Sequence, residues 1–132
     1  MKTKYFIFLL SGLIFLLLGS RVYAQSSSVD VSKFNDLQKI GYKVIDVRTP
    51  TEYAIEHISG AMNINFLEPD FALHLDKLDK QANYILYDKA GTRSTKAAKI
   101  MLDKGFINVY YLEGGLDAWK EENRPVEKNQ NE

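Results

Sequence analysis

From about residue 31 onward, short apolar runs alternate with segments of helical spacing, and this alternation constrains the fold more than any single residue does. Residues 43–47, 84–87 and 109–112 read as strands, and 61–64 as a minimal one. The intervening segments carry helix signals. Ser32 is placed to cap a helix that buries Phe34 and Leu37 and stops at Gly41. Thr49-Pro50-Thr51-Glu52 has the form of a capping box with proline at the first helical position. Pro69 opens a pattern with Phe71, Leu75 and Leu78 at i, i+4 and i+7. Ala97, Ala98, Ile100 and Met101 share a face that ends at Gly105, and a last helix after Gly114-Gly115 buries Leu116 and Trp119. Strands alternating with helices over about a hundred residues imply an α/β fold with a mainly parallel sheet covered on both faces.

The first 24 residues do not share this pattern. Lys2 and Lys4 precede an apolar run from Tyr5 to Leu18, followed by Gly19, Ser20 and Val22-Tyr23-Ala24, which is the layout of a secretory signal peptide. The run is 14 residues long and is broken by Ser11 and Gly12, short of the roughly 20 that a spanning helix needs. Cleavage after Ala24 would leave residues 25–28 as a polar spacer, 29–126 as a single domain and 127–132 as a polar tail. Export to a periplasm is the expectation, full secretion the alternative, with no membrane anchor left after cleavage. The leader takes three of the 17 basic residues and none of the 17 acidic ones. The remainder carries 14 basic against 17 acidic residues, a net of −3, which argues against nucleic acid as a partner. With no cysteine in the chain, neither a disulfide nor lipid attachment at a processed N-terminus is available, so packing alone must hold the fold.

In a parallel sheet covered on both faces, sites form outside the carboxyl ends of the strands. Three such ends converge: Asp46-Val47-Arg48, the stretch Tyr87-Asp88-Lys89-Ala90-Gly91-Thr92-Arg93-Ser94, and Glu113-Gly114-Gly115. In the second, a strand runs into a short loop and then a helix. Backbone N–H groups of such a loop and of the helix start point inward and favour negative charge, and Arg93 adds a fixed cation. The loop is built for an anion, yet an acid, Asp88, stands at its entrance. A carboxylate there accepts the N–H bonds that an anion would otherwise take, so the cradle is expected to be filled from within. Asp46, Arg48, His57, Glu113 and Gly114 are the expected rim.

In this order the motifs resemble the rhodanese-like domain family over about residues 31–126. Val44-Ile45-Asp46-Val47-Arg48 with Pro50 and Glu52-Tyr53 resembles its first block. Tyr53-Ala54-Ile55-Glu56-His57-Ile58-Ser59-Gly60-Ala61 resembles the next, with Ser59 where proline is usual. Leu112-Glu113-Gly114-Gly115-Leu116 through Trp119 to Arg124-Pro125 resembles the C-terminal signature, with Asn123 near a customary glycine. The resemblance implies a three-layer fold around about five strands. It also implies that active members open the loop with a cysteine that carries a persulfide between sulfur donor and acceptor, and Asp88 lies on that position. The loop from position 88 through Arg93 is six residues long, as in sulfur-transferring members rather than the related phosphatases and arsenate reductases. A carboxylate oxygen cannot form a persulfide. The expectation is therefore an inactive relative of thiosulfate sulfurtransferase, needing no cofactor and serving as a binding or regulatory module for a small anion or a protein partner.

Other chemistry finds less in the residues. Asp88 as the nucleophile of a hydrolase or phosphotransferase wants a second acid two residues on, and Ala90 is there; Asp46-Val47-Arg48-Thr49 fails in the same way. His57 and His74 are the only imidazoles, and their spacing gives no support to a metal site with Asp46 or Asp88. His57 is expected to order its turn by a local hydrogen bond, and His74 to lie on a solvated helix face. Arg48 and Glu52, four residues apart, are expected to pair. Lys89 and Arg93 are the candidate ligand-facing cations. Tyr84, Tyr87, Tyr110, Tyr111 and Trp119 are read as packing residues.

Overall fold

The computed structural model describes residues 25–129; the expected leader and the last three residues of the tail lie outside the described residues. Strands β1 (Ser27–Val29), β2 (Lys43–Asp46), β3 (Met62–Asn63), β4 (Asn83–Tyr87) and β5 (Asn108–Leu112) form one sheet in the order β1-β5-β4-β2-β3. Every pairing is parallel. Helices α1 (Val31–Lys39), α2 (Pro50–Ile55), α3 (Phe71–Leu75), α4 (Thr92–Asp103) and α5 (Gly115–Glu121) fill the connections. Among the described residues no helix is long and apolar enough to cross a membrane.

The central strands are apolar throughout because both of their faces are covered. Along β4, Ile85 and Tyr87 join one buried layer with Phe34, Leu116 and Trp119. Tyr84 and Leu86 join the other with Phe71, Leu75, Ala97, Ala98 and Met101. The period of two thus sends alternate side chains to opposite helix layers. Burying a large apolar side chain contributes roughly 1.5–3 kcal/mol, so these two layers supply what a cysteine-free chain cannot take from crosslinks.

Several local expectations are revised. The cap of α1 is Asp30, whose carboxylate accepts from the Lys33 N–H at 2.7 Å, rather than Ser32. Ser27 and Ser28, read as spacer, belong to β1 and pair with Tyr110 and Tyr111. An edge strand needs only backbone pairing, so exposed serines carry no hydrophobic signal of it. Helix α3 ends at Leu75, short of Leu78, which closes a turn back onto the Leu75 carbonyl. Glu127, placed in the tail, forms an isolated antiparallel bridge with His57.

The strand order locates the site. From β2 the chain moves outward to β3, whereas from β4 it moves the other way to β5. Ligands of open parallel sheets bind where the winding direction reverses. That crevice lies between the carboxyl ends of β2 and β4, where Asp46–Arg48 and the loop after Tyr87 sit.

Candidate functional site

The loop after β4 wraps around its own first side chain. Gly91 adopts φ +106°, a left-handed conformation that glycine takes without strain, and this turns the backbone inward. The Gly91 N–H donates to Asp88 Oδ1 at 2.6 Å, the Arg93 N–H to Oδ2 at 2.8 Å, and the Ser94 hydroxyl to Oδ1 at 3.0 Å. Arg93 Nε lies 3.6 Å from Oδ2. Asp88 is only 2% exposed. A single buried carboxylate therefore takes the inward donors that this loop and the start of α4 offer. From below, the Leu116 and Asp117 N–H groups donate to the Asp88 and Lys89 carbonyls at 2.8 and 3.0 Å, tying the loop to α5.

Arg93 fastens the same loop to α2. Its guanidinium donates to Glu52 Oε1 at 2.8 Å and to Oε2 at 3.1 Å. Glu52 also completes the capping box with Thr49, as the sequence signals. The Arg93 hydrogen bonds, outweighing the opposing effect of burial, hold the Glu52 carboxyl at about 2, far below its ordinary 4.5. A lowered folded-state value means a contribution complete above about pH 4.5 and lost as pH falls toward about 2. With part of the side chain in water, it amounts to about 1 kcal/mol. Urea unfolding should show Glu52→Gln losing about 1 kcal/mol less stability than wild type as pH falls from about 4.5 toward about 2; equal losses would remove Glu52 from the account.

Arg48 does not pair with Glu52. It lies before the Thr49 cap, outside the helix, so the rule for side chains one helical turn apart has no purchase on it. Its guanidinium instead donates to both oxygens of Asp46, at 2.7 Å from Nη2 and 3.0 Å from Nε, and to the Glu56 carbonyl at 2.6 Å. Asp46 is fully buried and Arg48 is 4% exposed. This pair supports the crevice from beneath more than it rims it.

The remaining expected residues divide between two sides of the loop. Arg48 and Lys89 line a cavity of about 350 Å³ with Glu52, Ile55, Glu56, Leu116, Asp117 and Lys120. Three ion pairs surround it: Arg93–Glu52 at 2.8 Å, Lys89–Asp117 at 2.8 Å, and Lys120 with Glu56. Glu113, Gly114, Ala90, Gly91 and Thr92 line a separate hollow between the ends of β4 and β5. His57 lines neither. One ring nitrogen lies 2.9 Å from the Tyr53 carbonyl, the local bond expected of it, and the other 3.2 Å from the Glu127 carboxylate. His74 is exposed, as expected, beside Asp70 at 3.2 Å. Sequence reasoning missed Asp117 and Lys120, whose signal was their i, i+3 spacing on one face of α5.

Three comparisons agree with this architecture. The description of the Rhodanese-like domain family matches residues 30–122. The chain is similar to a thiosulfate sulfurtransferase 16 of Arabidopsis thaliana chloroplasts, 34% identical over 110 residues that cover 76% of this chain and 92% of the relative. It is also similar to the thiosulfate sulfurtransferase GlpE of Pseudomonas paraeruginosa, 38% identical over 85 residues, covering 64% of this chain and 74% of the relative. Among solved structures, a rhodanese-related protein from Thermoplasma volcanium superposes with a TM-score of 0.69 at 28% identity, covering 76% of this chain and 97% of that one. With its five-stranded parallel sheet, its strand-loop-helix site and a family match over most of its length, the chain belongs to the rhodanese-like domain family.

Proposed function

We propose that this chain is an exported rhodanese-like protein without sulfurtransferase activity, in which Asp88 stands where active relatives carry the persulfide cysteine. The observation that carries this reading is the buried Asp88 carboxylate, hydrogen-bonded by Gly91, Arg93 and Ser94, in a chain with no cysteine. A carboxylate neither accepts nor releases sulfane sulfur. It also occupies the Gly91 and Arg93 N–H donors that an incoming oxyanion would use, so a free anion must compete with a carboxylate already in place.

The surface around the loop then serves as a binding or regulatory module, and a protein partner fits it better than a small anion. The mouth presents three solvent-reachable ion pairs beside Ile55, which is 66% exposed. A polar, charge-paired rim around an apolar contact is the usual make-up of a protein-binding patch. Export rests on the leader-like residues 1–24. The alternative, hydrolysis or phosphotransfer on Asp88, requires a free carboxylate oxygen, and both are engaged.

The test is the formation of thiocyanate from thiosulfate and cyanide by the purified protein, run beside an active thiosulfate sulfurtransferase. No turnover above buffer is expected. Steady enzymatic production of thiocyanate would overturn the reading.

A further inference from the structure

The hollow on the far side of the loop is not part of that mouth. It is an open depression of about 390 Å³ between the carboxyl ends of β4 and β5, bordered by Ala90, Gly91, Thr95, Lys96, Tyr111 and Glu113. This falls within the volume range of small-molecule sites, roughly 300–1,000 Å³. Its charges differ from those of the mouth. Around the mouth Lys89, Arg93 and Lys120 each have an acidic partner. In the hollow Lys96 and Glu113, both exposed, pair neither with each other nor with any other side chain among the described residues. Between them the wall is Ala90, Gly91 and the Tyr111 side chain, which also packs on the α4-side core. One cation and one anion, not paired with each other, thus border a mostly apolar space of a few hundred Å³.

We infer that this hollow is a binding site for a compact zwitterion of amino-acid size, its carboxylate directed to Lys96 and its ammonium to Glu113. A ligand carrying both charges satisfies both side chains at once, whereas a simple anion or cation satisfies one and is repelled by the other. Thr92 and Thr95 add hydroxyls on the Lys96 side, the latter already donating to the Gly91 carbonyl at 2.6 Å and so left as an acceptor. Because the hollow is open to water, its charges are screened and the affinity is low, with Kd about 1 mM. The inference does not depend on whether Asp88 is catalytic, since neither charge contacts that carboxylate.

The experiment is a titration of the isotope-labelled full chain with glycine and L-alanine, read from backbone amide NMR shifts. Acetate and methylammonium are run at equal concentration and ionic strength. Saturable shifts at Gly91, Thr92, Glu113 and Gly114 are expected with the zwitterions and not with the single ions. Lys96→Met and Glu113→Gln should each weaken binding about fivefold, and Lys96→Arg should retain it. Both positions are exposed and unpaired, so the variants should unfold at the wild-type urea concentration. The inference is overturned if the zwitterions produce no saturable shift, if acetate or methylammonium moves the same amides equally, or if the neutral variants bind as well as wild type.

Discussion

Asp88→Ala is expected to lose about 4 kcal/mol of folding stability, a large share of what a domain this size possesses. The substitution leaves two backbone N–H groups, of Gly91 and Arg93, facing an emptied, enclosed space, while the Ser94 hydroxyl keeps the Gly91 carbonyl at 3.2 Å as an acceptor. A buried donor without a partner costs about 1–3 kcal/mol. In a thermal melt this loss appears as a fall in Tm of about 20 °C. The same reasoning predicts rescue: the donors that held the carboxylate will hold a small anion. Sulfate should raise the Tm of Asp88→Ala well beyond its general effect on wild type, which is the control for salt. Asp88→Asn should fall between, since it keeps an acceptor for Gly91 and Ser94 but turns an amide donor toward the Arg93 N–H. An alanine variant as stable as wild type, or one indifferent to sulfate, would show that the donors are satisfied without the carboxylate.

The second large effect is expected at Gly115. A Cβ there would stand 2.5 Å from the carbonyl oxygens of both Asp88 and Lys89, at a residue with φ +58°. Those carbonyls are the acceptors that join the loop to α5. No flexible side chain can yield at this contact; the loop backbone itself has to move, and the hydrogen bonds from Leu116 and Asp117 move with it. Gly115→Ala should cost at least about 3 kcal/mol. Gly41→Ala is the matched control, because Gly41 has φ +102° with nothing within 4 Å of a built Cβ. It carries only the left-handed strain, roughly 1–2 kcal/mol. Urea midpoints should separate the two variants clearly, and equal midpoints would mean that the close approach of α5 to the loop is not tight.

The parts of this molecule governed by local rules are legible in the chain. Ile85 and Tyr87 on one face and Tyr84 and Leu86 on the other are what a continuous apolar strand becomes when covered twice. The Thr49–Glu52 box forms as its spacing requires, with the Glu52 N–H donating to Thr49 Oγ1 at 3.2 Å. Asp88 as the ligand of its own loop also follows from an acid placed before a turn and a helix start. Long-range partner choice is different. Glu52 is claimed by Arg93, 41 positions away, a guanidinium that only the folded chain brings to it, and this leaves Arg48 to turn back on the buried Asp46 two positions before it. His57 meets Glu127 across 70 positions, and β1 is an edge of polar residues recognisable only once β5 is beside it. Neither contact leaves a periodicity to read.

The placement of His57 has a physical consequence for the site. Its ring stacks on Tyr53 with centroids 3.9 Å apart, and its backbone pairs with Glu127, so the C-terminal segment is laid against the end of α2. Helix α2 in turn carries Glu52, the anchor of Arg93. The rim is thus held by packing and hydrogen bonds on its outer side, while the cradle is held by Asp88 within.

The most direct measurement is the intact mass of Asp88→Cys after treatment with thiosulfate, with wild type in parallel. If a sulfur-binding cradle persists around an oxygen acid, the cysteine variant should gain a single sulfur atom that cyanide then removes, and the wild-type protein should gain none. A folded Asp88→Cys that stays at its starting mass, or a wild-type chain that takes up cyanide-labile sulfur, would contradict the account.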